Sequence, residues 1–416
     1  MPHGTACGRK CFGLINRGDH QTGRSSNRPT GVRVRKYPVV IVGAGPAGIA
    51  AALSLRDRGV EPLVVERTDR VASSWCTRYD RLRLNTGRQF SHLPRRRFPK
   101  GTPTFPTRDQ FIDHLQQHAR DLKIRPGCTV HRIESRQGGW RLKTSAGDID
   151  TRQVIVATGY EHTPYIPTWP GAQRFTGEIL HSSDYRNPSR YAGKQVLVVG
   201  PGSSGMEIAH DLAVGGAAKV WLAVRTPPNI ILRNGPLGLP GDAIGTPLYH
   251  LPPLIADRIA RIARLRSIGD LTHYGLPIPR DGTFTRLHRS GKAPAIIDLD
   301  VIDAVRNGFV EVVKAPASID HDSVWLSDGV QLRPQVVICA TGYLCGLEPL
   351  VGHLGVLNEQ GAPIADGRAL AEGLRFLGFL SRPSLIGYVG KRSKRIAKEI
   401  ADELNNSPKD RAGSEE

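Results

Sequence analysis

One pattern is written twice in this chain of 416 residues, and it leaves few folds open. Pro38-Val-Val-Ile-Val42 is a short, continuous β-branched run, as expected of a strand buried on both faces. It meets Gly43-Ala-Gly-Pro-Ala-Gly48. Ile49–Leu55 then reads as a small-residue helix that Gly59 ends, and Glu61–Glu66 as the next strand. The same order returns 157 residues later: strand Gln195–Val199, turn Gly200-Pro-Gly-Ser-Ser-Gly205, helix Met206–Ala213, strand Ala218–Val224. A lone G-x-G-x-x-G is weak. Here each one follows a strand and opens a helix, which makes it a βαβ nucleotide unit.

In such a unit the first glycine makes the tight turn and the second lets the backbone approach a pyrophosphate. The third brings helix against strand. The helix N-terminus adds unpaired N–H groups and a positive dipole end. Gly43, Gly45, Ala47 and Gly48 are therefore cofactor-binding candidates in the first unit, and Gly200, Gly202, Ser203, Ser204 and Gly205 in the second. Arg67, Trp75, Val130, Thr341 and Gly342 are further cofactor-binding candidates outside the turns.

The residue closing the second strand of each unit selects the ligand. Glu66 stands 23 positions after Gly43; a carboxylate there accepts from ribose hydroxyls and repels a 2′-phosphate, which implies FAD or NAD. Arg225, 25 positions after Gly200, is followed by Thr226. A guanidinium offers paired donors to a 2′-phosphate, which implies NADPH. Two sites of opposite preference suggest a hydride path in which NADPH reduces a flavin. The six cysteines, Cys7, Cys11, Cys76, Cys128, Cys339 and Cys345, form no C-x-x-C pair. That argues against a dithiol reductase and fits a reducing cytoplasm. The electrons then go to oxygen, an organic substrate or a protein partner.

Val154–Tyr160 and Val336–Tyr343 are echoes, both reading as strands that end in Ala-Thr-Gly-Tyr. They bracket the second unit and are expected to be the crossings between a discontinuous first domain and an inserted second one. The expected class is α/β, with two dinucleotide-binding Rossmann-like domains, the NADPH domain inserted into a discontinuous FAD domain. The boundaries are a disordered basic extension over 1–36, FAD domain over 37–160 and 336–405, and NADPH domain with a substrate-cavity insertion over 161–335. A disordered tail follows over 406–416. Ile396, Ile400 and Leu404 recur at helical spacing and predict a helix packed on the first domain.

The formal net charge is +19, of which residues 1–36 carry +7. No zinc-finger, RNP or basic-zipper pattern turns that charge into nucleic-acid readout, so anionic cofactors are the expected partners. The N-terminal segment has no apolar core of a secretory signal, and no run of about 18 apolar residues spans a membrane. Leu251–Arg266 is a basic amphipathic stretch. Its apolar face is expected to cover a substrate cavity with walls from about 229–300, leaving its arginines solvated. Peripheral contact with an anionic membrane through 251–266 is the alternative.

Phe175-Thr-Gly-Glu-Ile-Leu-His181-Ser-Ser-Asp-Tyr185 fits F-x-G-x-x-x-H-x-x-x-[YF]. This resembles the fingerprint of class B flavin-containing monooxygenases. Tyr79–Asn85, Gln89–Pro94, Phe105–Phe111, Gly275–Pro279, Gly291–Asp298, Leu380–Gly387 and Lys394–Ala397 are similar to blocks of the YUCCA-type members. The resemblance spans about residues 37–405. It implies an enzyme in which NADPH reduces FAD and O2 then forms a C4a-(hydro)peroxide. NADP⁺ stays bound to shield that adduct, and a small organic substrate is oxygenated. The oxygen goes to an N or S nucleophile, or to a carbonyl, as in the YUCCA-type oxidative decarboxylation of an indolyl 2-oxo acid. An NADPH oxidase releasing peroxide and Baeyer–Villiger oxygenation of a ketone are the alternatives. The resemblance implies that Asn85 holds NADP⁺ and the adduct by its amide. His181 is expected to be structural, bonded to backbone and supporting the NADPH site. Gln335 and Cys339 depart from the N-hydroxylating branch and leave the substrate open.

Overall fold

The β-branched runs become central, parallel-paired strands of two sheets, the first mixed and the second parallel. In this computed structural model, residues 35–235 and 238–406 are described; Cys7, Cys11, nearly all of the basic extension and the tail beyond 406 lie outside them. The first sheet is entered through β1 (Arg35–Val42), α1 (Pro46–Arg56) and β2 (Leu63–Val65). After α2 (Ser73–Cys76) and α3 (Arg108–Ala119) come β3 (Ile124–Arg125), β4 (Val130–Arg136), β5 (Gly139–Thr144) and β6 (Ile149–Val156). The second sheet follows a short β7 (Thr163–Pro164). It begins with β8 (Glu178–His181), β9 (Gln195–Val199), α4 (Ser203–Val214) and β10 (Lys219–Val224).

An insertion then carries β11 (Ile230–Leu232), α5 (Gly241–Leu248), α6 (Pro253–Ser267), α7 (Thr283–Ser290), β12 (Ala295–Ile297) and α8 (Leu299–Arg306). Next come β13 (Glu311–Lys314), a small antiparallel sheet of β14 (Pro316–Ile319), β15 (Val324–Leu326) and β16 (Gln331–Leu332), and then β17 (Val336–Cys339). The chain returns through β18 (Tyr343–Leu344) and α9 (Glu348–Val351) to β19 (Ala369–Ala371), β20 (Leu374–Phe376) and α10 (Leu385–Asn405).

The first sheet runs β19-β20-β6-β1-β2-β3, with β4 and β5 as an antiparallel flap on β6. The second runs β13-β10-β9-β17-β8, with every pairing parallel. The strand Val336–Cys339, expected at the start of the return to the first domain, is thus a central strand of the second sheet. Its four residues are buried, and it pairs on both edges with β8 and β9. The return begins after it. There β18 lies antiparallel to β7, so the two crossings run side by side as a two-stranded ribbon.

Alternate residues of each strand feed opposite faces. Ile41 and Ile155 pack under α1, α3 and α10, whereas Val40 and Val154 face the β4–β5 flap and α9. Ile396 and Ile400 of α10 are buried against that first face, with Leu404 partly buried beside them. In the second sheet, Val196 and Val198 face α4 and α8, and Leu197 and Val199 face the small antiparallel sheet.

Among the described residues no helix is long and apolar enough to cross a membrane. The amphipathic stretch forms α6, but in the opposite sense to the one expected. Leu254 is 78% exposed, Ile255 52% and Ile262 51%, while Ala256 and Arg264 are the residues it buries. The apolar side therefore does not cover the cavity. The reason lies in Asp257, which accepts from Phe284 N, Thr285 N and Thr285 Oγ1 and caps α7. That contact fixes the rotation of α6 and turns Leu254 and Ile255 outward.

Candidate functional site

Both glycine turns open onto one cavity of about 910 Å3. In each turn the three glycines do three different jobs. Gly43 (φ 106°) and Gly200 (φ 112°) hold backbone conformations that L side chains rarely adopt. A Cβ on Gly43 would lie 2.8 Å from Ala157 O, and one on Gly200 would lie 2.4 Å from Ala340 O. These alanines begin the two Ala-Thr-Gly-Tyr segments, which explains the echo: each supplies the small residue against which a turn closes. A Cβ on Gly45 or Gly202 would meet nothing within 4 Å; it would fill the space that a pyrophosphate needs. A Cβ on Gly48 or Gly205 would lie 1.9 or 1.8 Å from the carbonyl oxygen of Gly43 or Gly200.

The helices behind these turns begin without side-chain caps, at Gly45 and Gly202. Their internal bonding starts with Ile49 N to Gly45 O and Met206 N to Gly202 O. The N–H groups before those points remain for an anion. The residues present therefore fit two dinucleotides, with Gly45 and Ala47 lining one cradle and Gly202, Ser203, Ser204 and Gly205 the other.

Of the other sequence candidates, Glu66, Arg67, Trp75, Asn85, Val130 and Gly342 also line the cavity. Glu66 is buried and held by Ala44 N at 2.8 Å, Thr68 N at 3.0 Å and Thr68 Oγ1 at 2.9 Å. The carboxylate is thus fixed at the strand end before any ligand arrives. Gly48 and Gly200 act one layer behind the wall, and Arg225, Thr226, His181 and Thr341 also lie outside it. Arg225 and Thr226 are exposed just beyond β10.

His181 is buried. Its Nδ1 accepts from Ser183 N at 3.1 Å, so Nε2 carries the proton and donates to Gly342 O at 3.0 Å. Burial holds its pKa below the usual histidine range and keeps it neutral. It ties the end of β8 to the second Ala-Thr-Gly-Tyr segment, the segment that closes on Gly200. Thr341 Oγ1 donates to Tyr165 O in the neighbouring crossing.

Sequence reasoning missed a buried polar network behind Asn85. Arg233 is 2% exposed and pairs with Glu207 of α4 and with Asp298. Its Nη2 donates to Asn85 Oδ1 at 3.3 Å, and Tyr79 Oη donates to Glu207 Oε2 at 2.7 Å. Burial pushes the Glu207 carboxyl up, while Arg233 and the Tyr79 hydroxyl pull it back. The second domain thus holds an amide of the first by its oxygen. Asn85 Nδ2 has no hydrogen-bond partner among the described residues. Only the position of Glu207, three residues into the second glycine helix after Ser204, hinted at this in the sequence.

The remaining wall is mainly apolar, with Ile231, Phe284, Leu287 and Ile296 from the insertion and Arg382 from the segment before α10. The expected source of the cavity walls, about 229–300, supplies the first four of these. The four described cysteines are free.

Comparisons with known proteins agree with this geometry. Residues 40–231 match the family model described as pyridine nucleotide-disulphide oxidoreductase. Indole-3-pyruvate monooxygenase YUCCA1 of Oryza sativa subsp. japonica is 33% identical, covering 87% of this chain and 90% of its own length. Indole-3-pyruvate monooxygenase YUCCA6 of Arabidopsis thaliana is also 33% identical, over 87% and 89%. In fold, the chain is similar to a flavin-containing monooxygenase from Stenotrophomonas maltophilia (TM-score 0.66, 21% identity, 89% and 100% covered). It is similar also to OTEMO in complex with FAD and NADP (TM-score 0.70, 16% identity, 90% and 86% covered). With two nucleotide cradles on one cavity and this similarity over most of its length, the chain belongs to the YUCCA family of flavin monooxygenases and is an FAD- and NADPH-dependent monooxygenase of a small organic substrate.

Proposed function

We propose that this monooxygenase cleaves an apolar 2-oxo acid oxidatively. The acid, O2, NADPH and a proton give the carboxylic acid one carbon shorter, CO2, water and NADP⁺. One carbon–carbon bond breaks beside the carbonyl and one carbon–oxygen bond forms there. The observation that carries the reading is the single cavity shared by both glycine turns and an apolar wall. Nicotinamide, flavin and substrate can meet there without crossing water. The YUCCA names of the relatives supply the substrate class.

When bound, reduced FAD supplies the two electrons with which one oxygen atom enters the substrate and the other leaves as water. The chain's own residues bind and orient. Gly43, Gly45, Ala47 and Gly48 cradle the FAD pyrophosphate, Glu66 takes its ribose, and Arg67, Trp75 and Val130 complete that wall. Gly200, Gly202, Ser203, Ser204 and Gly205 cradle NADPH, and Arg225 with Thr226 takes the 2′-phosphate. His181, Thr341 and Gly342 keep the second turn closed. Asn85 presents its amide N–H groups to the nicotinamide side, because Arg233 occupies its oxygen.

The test is stoichiometric. With indole-3-pyruvate, the purified enzyme is expected to release one equivalent of CO2 and indole-3-acetate per NADPH and little peroxide. Peroxide in place of product across a panel of 2-oxo acids, amines, sulfides and ketones would instead mark an oxidase. Turnover confined to amines or sulfides would move the substrate class.

The surface of α6 supports a further part of this reading, peripheral contact with an anionic membrane. Leu254, Ile255, Ile259, Ile262 and Leu265 are exposed together with Arg258, Arg261 and Arg266. Exposed aliphatics enter the headgroup region, and guanidinium groups meet lipid phosphates. A second copy of the same face would set arginine against arginine.

A further inference from the structure

Arg382 is a cavity cation without a counter-ion among the described residues. Its guanidinium lies 4.8 Å from the centre of the Tyr249 ring and 4.3 Å from that of Tyr388. Tyr249 follows α5 and Tyr388 stands in the first turn of α10, so the arginine bridges two elements. No hydrogen bond or ion pair joins it to a described residue, and its Nε is buried with no partner. Two aromatic faces hold a cation in place but do not neutralise it.

The other cations of the cavity wall differ. Arg78 is paired with Glu161 at 2.5 Å, Arg67 meets His162 Nε2 at 2.9 Å, and Arg83 is exposed. Asp242 lines the same wall but does not pair with Arg382. Its Oδ2 accepts from Gly87 N at 3.1 Å and from Ser384 Oγ at 3.4 Å, and burial pushes the carboxyl towards its neutral form.

A fixed, unpaired guanidinium in a cavity that is otherwise largely apolar matches a ligand with an anionic head and an apolar body. We propose that Arg382, gripped by Tyr249 and Tyr388, is the anchor for the substrate's carboxylate, and so directs the adjacent carbonyl carbon towards the flavin side of the cavity. This rests on the 2-oxo-acid reading above, and it assigns that substrate's charged end to one residue.

Equilibrium binding to the oxidised, FAD-loaded enzyme tests it, read from perturbation of the flavin absorbance. Indole-3-pyruvate and its methyl ester are the two probes. The wild type is expected to prefer the acid. Arg382→Gln should weaken acid binding about ten- to hundredfold, the worth of a charge-assisted hydrogen-bonded pair, and leave the ester's binding as it was. Arg382→Lys, which keeps the charge and loses the fork, should fall between. FAD content reports folding in each variant. Should the Gln variant fail to hold FAD, the Lys variant carries the test through its smaller acid-to-ester ratio.

A Gln variant with the wild-type ratio overturns the anchor, as does a wild type that binds acid and ester alike. Failure of the 2-oxo-acid reading looks different: the wild type then makes peroxide instead of the shortened acid, whatever its binding preference.

Discussion

The two glycine turns are built alike almost to the atom, yet the strands beside them end in opposite ways. In both, the first glycine closes on the alanine of an Ala-Thr-Gly-Tyr segment, the second faces open space and the third sits under 2 Å from a carbonyl if given a Cβ. Beyond the shared scaffold, Glu66 is buried and locked by Ala44 N, Thr68 N, Thr68 Oγ1 and Ser73 Oγ, whereas Arg225 stands exposed. A carboxylate that meets uncharged ribose hydroxyls must be desolvated and aimed in advance. A guanidinium that meets a phosphate can wait in solvent, because the charge of the ligand draws it in. On the proposed reading, the shared scaffold takes a dinucleotide and the residue at each strand end selects which one.

The sharpest way to break this comparison is to fill the third glycine of each turn. The added methyl group would overlap a backbone carbonyl that cannot retreat, at a cost of about 3 kcal/mol or more. Gly48→Ala should yield protein without bound flavin. Gly205→Ala should remain yellow and be bleached by dithionite, but not by NADPH. Absorbance spectra of the two purified variants decide it. Loss of flavin from both, or from neither, would mean that the halves are not separate nucleotide sites.

The next largest effect should come from the strand end itself. Arg225→Ala is expected to lower kcat/KM for NADPH about ten- to hundredfold while leaving that for NADH nearly unchanged, since only the phosphate contact is lost. Initial rates of flavin reduction with each nucleotide measure it. If the ratio of the two constants does not move, the 2′-phosphate is read elsewhere.

The duplicated halves were legible because their signal is local. A β-branched run, three glycines and a small-residue helix fall within about twenty positions, and glycine spacing reports backbone geometry directly. The site behind Asn85 was not legible. Arg233 lies 148 positions from Asn85 and 26 from Glu207, and nothing in either neighbourhood marks a buried arginine. Arg382 is similar: its environment comes from Tyr249, far away in sequence, and from a helix turn six residues on. The residues of Val336–Cys339 mark a strand but not its sheet, because parallel neighbours leave no trace in a strand's own residues. In α6 the spacing marks an apolar face but not its direction. Helical periodicity defines an apolar face; only the cap of Asp257 on α7 says which way that face turns.

That outward face is also where the two halves part company, since it belongs to the insertion of the second half. If α6 docks on lipid, the full-length enzyme should float with phosphatidylglycerol vesicles and not with phosphatidylcholine vesicles, and salt should release it. Replacing Arg258 and Arg261 with Gln should weaken binding about thirtyfold, at about 1 kcal/mol for each cation near an anionic surface. Leu254→Asn should weaken it too, but without changing the salt dependence, because it removes apolar insertion and no charge. The basic residues 1–36 are the rival source of attraction. An Arg258→Gln, Arg261→Gln variant that floats as well as the wild type would assign the binding to that segment and leave α6 a solvent-facing helix. Because Asp257 of α6 caps α7, and Phe284 and Leu287 of α7 line the cavity, a docked α6 would hold one wall of the cavity a single helix away from the bilayer. Lipid docking would then be coupled to the cavity through α7, on the side of the second half.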